Sequence, residues 1–266
     1  MRDPARNAIG VLALQGSFAE HIHALESLPQ QTRLPVLQVR TPADLAKCRG
    51  LIIPGGESTA IALLIVQSGL YEPLLDFVRL AKRGTGERAI WGTCAGAILL
   101  AREIDGPTTA GWKGLEGIDV RVSRNRFGRQ LQSFAEPLVL DFLSPPTPPL
   151  LATFIRAPAL HSILPPSLSS SADASSADPS PSASPPPPRV ECLVRLSPEL
   201  LASVAPAKPA LGPPSVKQQP PAAGSENDVV MWKQGDLLAS SWHPELNKDD
   251  ARVHEWWVRT MVLHEP

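Results

Sequence analysis

Three short apolar runs constrain the fold of this chain more than anything else in it. Ile9 to Leu14, Leu51 to Ile53 and Ala89 to Trp91 each last only a few residues and end beside glycine. Each leads into a segment whose apolar residues recur at helical spacing: Phe18 to Leu28, about Ser58 to Gln67 and then Tyr71 to Lys82, and the stretch after Cys94. A run apolar at successive positions is a strand buried on both faces, and such strands joined through helices form a mostly parallel sheet between two helical layers. Val36 to Arg40 supplies a further strand, and Thr41 caps a short helix that opens at Pro42. Ligands of these sheets bind beyond the carboxyl ends of the strands, where Gly55-Gly56 and Cys94 both fall.

The second half has a different composition. Twenty of the 30 prolines lie between Pro145 and Pro221. The spans at about 163–188 and 198–227 are rich in Pro, Ser and Ala and hold too little apolar surface to offset the entropy of ordering them. Between them, Arg189 to Leu196 has strand character. Beyond them, Val229 to Lys233 and Leu237 to Trp242 read as a hairpin about Gln234-Gly235-Asp236, and Asp249 to Leu263 as a final helix. The folded pieces on either side are too short for separate cores, so residues 1–266 are expected to form one domain carrying two disordered insertions.

The remaining bulk properties mainly exclude. With a formal net charge of −1 and no basic run, the chain is not read as a nucleic-acid binder. No apolar stretch approaches the roughly 18 residues of a membrane span. Three scattered cysteines, Cys48, Cys94 and Cys192, make neither a disulfide framework nor a zinc cluster, and a reducing, cytosolic compartment is expected. Cys48 reads as part of a polar connection and Cys192 as part of a strand. His21 and His23, two apart on a helix, share no face, and no HExxH or CxxC spacing occurs, so neither a metal nor a cofactor is expected. Gly55-Gly56 is not a phosphate loop, because no Gly-Lys-Ser/Thr follows.

Chemistry concentrates at Gly92-Thr93-Cys94-Ala95-Gly96. A cysteine between a buried strand and an apolar helix is lifted onto a tight corner, and the helix N-terminus favours its thiolate. Such a nucleophile needs a base and a group to orient it. Trp242-His243-Pro244-Glu245 provides both: in an extended segment, residues two apart point to one side, so Glu245 can hold His243. Alone, His-x-Glu is an ordinary surface turn; beside the cysteine corner it is the expected base and its orienter. Pro54-Gly55-Gly56-Glu57-Ser58-Thr59 permits backbone N–H groups to converge on a substrate oxygen, although the same residues could serve only as a strand-to-helix turn with a Ser58 or Thr59 cap.

These segments, with Leu14-Gln15-Gly16, Glu20-His21-Ile22-His23, Arg124-Asn125-Arg126-Phe127-Gly128-Arg129-Gln130 and Phe154-Ile155-Arg156-Ala157-Pro158, resemble the glutaminase subunits of pyridoxal 5′-phosphate synthase, within the class I glutamine amidotransferases. The resemblance spans about residues 8–161 and 228–263. It implies a flavodoxin-like, three-layer α/β/α fold and hydrolysis of L-glutamine to glutamate and ammonia. It implies Cys94, His243 and Glu245 as the catalytic triad, and backbone at Gly56 and Ala95 as the oxyanion hole. Gly56, Glu57, Ser58, Arg124, Ile155 and Arg156 would hold glutamine, with arginine suited to its α-carboxylate. It implies no cofactor, and as partner a (β/α)8-barrel synthase subunit that consumes the ammonia, with Gln15-Gly16 and the helix of His21 and His23 as docking elements. A class I amidotransferase feeding another synthase, or a non-catalytic binding protein on the same fold, are the competing expectations.

Overall fold

The computed structural model describes residues 6–106, 108, 112–124, 133–166, 188–204 and 226–265. Its centre is a seven-stranded sheet in the order β10-β11-β12-β4-β3-β1-β2. The strands are β1 (Ala8–Leu12), β2 (Val36–Val39), β3 (Cys48–Ile53), β4 (Ala89–Thr93), β10 (Val190–Arg195), β11 (Val229–Gln234) and β12 (Leu237–Ser240). From β12 through β4, β3 and β1 to β2 every pairing is parallel. Only β10 and β11 add on antiparallel, through the hairpin about Gly235.

Strand alternation sorts the core into two layers. Leu51, Ile53 and Ile90 face a cluster with Ile61 and Ile65 of α3 (Ser58–Gln67), Leu74 and Phe77 of α4 (Tyr71–Lys82) and Leu99 of α5 (Ala95–Leu100). Ile52 and Trp91 face the other way, onto Leu25 of α1 (Phe18–Glu26) and Val253 and Trp257 of α7 (Arg252–Trp257). A period of two in the strands thus meets helices on both faces. A three-stranded sheet, β5 (Ala101–Asp105), β6 (Ile118–Ser123) and β9 (Ala159–Ile163), and a hairpin of β7 (Ser133–Leu138) with β8 (Leu150–Ile155), flank this body. Among the described residues no single helix is long and apolar enough to cross a membrane.

Local rules hold at several element ends. Thr41 and Asp44 form a reciprocal capping box on α2 (Pro42–Ala46), with Pro42 in its first turn. The N-cap of α3 is Glu57, whose carboxylate accepts from the N–H groups of Thr59 and Ala60, and not the expected Ser58 or Thr59. Cys48 is not in a polar connection: it opens β3, is fully buried, and donates its thiol to Asp44 O at 3.3 Å. Burial raises that thiol to about 12. The last helix begins at Arg252, after Asp249 and Asp250, and widens into a π-helical stretch over Val258–Leu263.

The Pro/Ser/Ala-rich spans are narrower than composition suggested. β9 runs to Ile163 and the carbonyl of Pro165 accepts from Arg102. The second span opens with helix α6 (Pro198–Val204), whose Leu201 is buried with Leu196.

The step from β4 to α5 is the tightest packing on the sheet. A methyl group at Gly96 would lie 2.1 Å from the carbonyl oxygen of Ile53, which belongs to a neighbouring strand and cannot retreat. Gly96→Ala is therefore expected to cost ~2 kcal/mol and lower the Tm by roughly 4–8 °C. An unchanged Tm in thermal unfolding would contradict this packing.

Candidate active site

Cys94 occupies the corner between β4 and α5 with φ 47° and ψ −101°. For a residue with a side chain this left-handed region is costly, and it is held here from both sides: Cys94 N–H donates to Ser240 O at 2.8 Å, and Gly96 is wedged against β3. The strain turns the thiol out at the carboxyl edge of the sheet. Sγ lies 3.7 Å from the carbonyl oxygen of Ile155, at the end of β8. Arg156, the next residue, also has a positive φ of 46°.

His243 reaches toward this thiol from the end of β12, and the two side chains line the same pocket. Its backbone N–H is anchored on Thr153 O of β8 at 2.9 Å. The pairing with Glu245 forms as expected but by another route. Residues Pro244–Leu246 make a 3-10 turn, not an extended spacer, and the turn folds the carboxylate back so that His243 Nδ1 donates to Oε1 at 2.7 Å. Gly55 makes room for the ring, since a Cβ there would lie 2.3 Å from His243 Cε1.

Electrostatically the pair is charged. Burial pushes the His243 imidazole down, but hydrogen bonds to Cys94 and Glu245 outweigh it and bring it to about 10. Burial pushes the Glu245 carboxyl up, but His21, His243 and the Ser17 hydroxyl outweigh that and hold it at about 2. Ser17 donates to Oε1 at 2.5 Å and was not anticipated from the sequence; its only signal is its place just after the turn that ends β1.

Before these groups lies a cavity of about 270 Å³ lined by Gly56, Glu57, Ser58, Cys94, Ala95, Ile98, Arg124, Ile155, Arg156 and His243. Its size is at the small end for ligand pockets. Every expected glutamine-binding position therefore lines one pocket with the triad, except Glu245, which sits behind His243. Gln15 buttresses the Gly55-Gly56 turn, its Oε1 accepting from Glu57 N–H at 2.9 Å. Arg124 lies with its guanidinium carbon 5.3 Å from the centre of the Trp112 ring, and its Nε and Nη2 are buried with no hydrogen-bond partner among the described residues. Trp112 and Ile98 were missed; Trp112 stands in a stretch without periodicity. Asn125 to Gln130 lie outside the described residues. On the helix expected to dock a partner, His21 is fully buried and faces the triad, while His23 is exposed. No group of three or more His, Cys, Asp or Glu that could hold a metal ion occurs among the described residues.

Fold and site together define a class of α/β proteins: a cysteine on a strand–helix corner, with a histidine and a carboxylate brought to it at the carboxyl edge of a parallel sheet. Comparison with known sequences narrows it. The family model described as the SNO glutamine amidotransferase family matches residues 11–177 and 209–263, and the chain belongs to that family. It is 33% identical over 266 residues to pyridoxal 5′-phosphate synthase subunit SNO1 of Saccharomyces cerevisiae, covering 98% of this chain and 96% of the relative. It is 48% identical over 159 residues to pyridoxal 5′-phosphate synthase subunit PdxT of Deinococcus radiodurans, covering 59% of this chain and 74% of that one. A crystal structure of a glutamine amidotransferase superposes with a TM-score of 0.64 at 32% identity, over 94% of this chain and 96% of the other.

The pair's electrostatics set a pH dependence of stability. The raised His243 contributes fully below its ordinary 6.5 and loses its contribution as pH rises through about 10. The depressed Glu245 contributes above its ordinary 4.5 and loses its contribution as pH falls through about 2. In urea unfolding, the stability gap between wild type and Glu245→Gln is expected to be widest between pH 4.5 and 6.5 and to narrow toward pH 2 and pH 10. A pH-independent gap would mean that the two are not an ion pair.

Proposed function

We propose that this chain is the glutaminase subunit of a pyridoxal 5′-phosphate synthase, hydrolysing L-glutamine to L-glutamate and ammonia. The observation that carries the reading is that Cys94 and His243, the latter held by Glu245, line one pocket with Arg124, whose Nε and Nη2 have no hydrogen-bond partner among the described residues. Family membership and the names of the relatives support the same activity.

The chemistry follows from the protonation states. The Cys94 thiolate beside the His243 imidazolium attacks the side-chain amide carbon of glutamine, forming the C–S bond and an oxyanion. Backbone N–H groups at Gly56 and Ala95 are the proposed donors to that oxygen. His243 gives its proton to the departing nitrogen, ammonia leaves, and a thioester remains. The now neutral His243 takes a proton from water, whose hydroxide attacks the thioester. The collapse frees glutamate and returns the thiolate–imidazolium pair. Glu245 keeps Nδ1 protonated, so that Nε2 is the nitrogen that exchanges protons. Arg124 pairs with the substrate α-carboxylate, its face held by Trp112; Glu57, Ser58, Ile155 and Arg156 complete the pocket.

Released into water, ammonia protonates and diffuses away, so the subunit delivers it to a partner. The proposed partner is a (β/α)8-barrel synthase subunit; neither nucleic acid nor membrane takes part. The compartment is cytosolic, in keeping with three free cysteines. We also read residues 1–266 as one domain with two insertions, a reading supported by the pairing of β4 with β12, from either side of them, in one sheet.

Cys94→Ala is expected to abolish glutamate release while leaving the circular dichroism spectrum unchanged; retained activity would defeat the mechanism. Arg124→Ala is expected to raise KM for glutamine by roughly tenfold to a hundredfold, with a smaller effect on kcat. An unaltered KM would remove Arg124 from substrate binding. Co-expressed with a candidate barrel synthase, the chain should support pyridoxal 5′-phosphate formation from glutamine. Product with added ammonium but none with glutamine would overturn the subunit assignment.

A further inference from the structure

Two histidines stand behind the site and take no part in the proposed reaction. His21 on α1 and His254 on α7 are both completely buried. Their rings meet through His21 Nδ1 and His254 Nε2, 2.9 Å apart. The other nitrogen of His21, Nε2, lies 3.1 Å from Thr93 Oγ1 and 3.3 Å from Oε2 of Glu245. Trp91, with its ring centre 4.9 Å from that of His254, helps close this compartment to water.

The geometry settles where the protons sit. A bare Nε2 would set a lone pair beside a buried carboxylate oxygen, so Nε2 carries the hydrogen, which bonds Thr93 Oγ1 and leaves Oε2 at ion-pair distance without a hydrogen-bond partner among the described residues; in the neutral ring Nδ1 is then bare. Nδ1 must then accept, and the hydrogen between the rings belongs to His254 Nε2. That leaves His254 Nδ1 as a lone pair, in agreement with its having no hydrogen-bond partner among the described residues. Burial disfavours the charged form of both rings: it lowers His21 against the pull of Glu245, and lowers His254 to about 3. The titratable groups acting on His21 are Glu245, His243 and His254, together with Glu20 beside it on α1.

We infer that His21 is a positioning residue for the glutaminase triad: its Nε2 faces the second carboxylate oxygen of Glu245, which has no hydrogen-bond partner among the described residues, at an ion-pair distance of 3.3 Å, and Thr93 and His254 hold the ring there. Ser17 and His243 both hold Oε1. Without His21 nothing described would stop the carboxylate rotating about its last bond, and the His243 ring would lose its fixed orientation. The inference rests on the glutaminase reading for its effect on turnover, but not for its effect on His243.

The test uses full-length protein with isotopically labelled histidine, comparing wild type with His21→Leu, His21→Gln and His254→Leu. The His243 ring is titrated by NMR, and glutamate release is measured with the synthase partner present. In His21→Leu the His243 midpoint should fall by about one pH unit, a tenfold change in its protonation equilibrium. Its kcat should fall roughly tenfold to a hundredfold, the usual cost of losing a group that orients a reactive ligand, with KM little changed. His21→Gln should recover much of both, because its amide N–H can donate to Oε2. A wild-type His243 titration and kcat in His21→Leu, whatever its Tm, would overturn the inference, as would a His21→Gln protein no better than the leucine variant. If His21→Leu does not fold, His254→Leu decides: a lowered His243 midpoint supports the inference and an unmoved one overturns it. Absence of glutamate release by wild type would defeat the glutaminase reading alone, since the His243 titration still reports on His21.

Discussion

A buried carboxylate organises this molecule. Glu245 is 3% exposed, and an anion so placed must collect donors from the protein in place of water. It draws them from segments far apart in the chain: Ser17 just before α1 and His243 after β12 both donate to Oε1, and His21 within α1 stands at ion-pair distance from Oε2. The need to satisfy one ion therefore clamps the first helix against the C-terminal turn. Because His243 is one of the donors, the clamp also determines where a proton can be held next to Cys94. The hydrogen bonds that hold the buried carboxylate also orient the His243 ring.

The other half of the site depends on backbone packing. Cys94 can keep its unfavourable dihedral angles because β12 accepts its N–H and because Gly96 lies against the β3 carbonyl without a side chain. The parallel sheet brings the carboxyl ends of β1, β3, β4 and β12 to one edge, so the Gly55-Gly56 turn, the thiol and the imidazole converge there. The β7–β8 hairpin closes the pocket from outside the sheet, contributing Ile155 and the residue after it, Arg156.

Much of this was legible in the residues. Continuous apolar runs gave away the buried strands, and the bounds expected for α3 and α4 agree with those observed, each helix being followed closely by a glycine of positive φ, Gly69 and Gly84. The His243–Glu245 pairing was legible too, although through a 3-10 turn and not an extended spacer: proline at the first turn position favours the turn, and two-residue spacing alone does not distinguish them. Cys48 was misplaced because polar neighbours outweighed one apolar position at a strand start. His21 was placed on a docking helix and not behind the triad, because a histidine beside Glu20 on a short helix carries no local sign of burial. Its partners are 72 to 233 residues away.

By itself, the sequence marked β1 to β4, β10 to β12 and the main helices beside them, the cysteine corner, and a histidine with its carboxylate, but not β5 to β9. These depend on local patterning and on spacings of a few residues, which propensity and sterics enforce directly. Only the tertiary structure decided that Ser17, His21 and His254 stand behind Glu245 and that Trp112 lies against Arg124. Those choices follow from which faces the sheet brings together and from the cost of leaving a buried charge without donors, and neither is written in any short stretch of the chain.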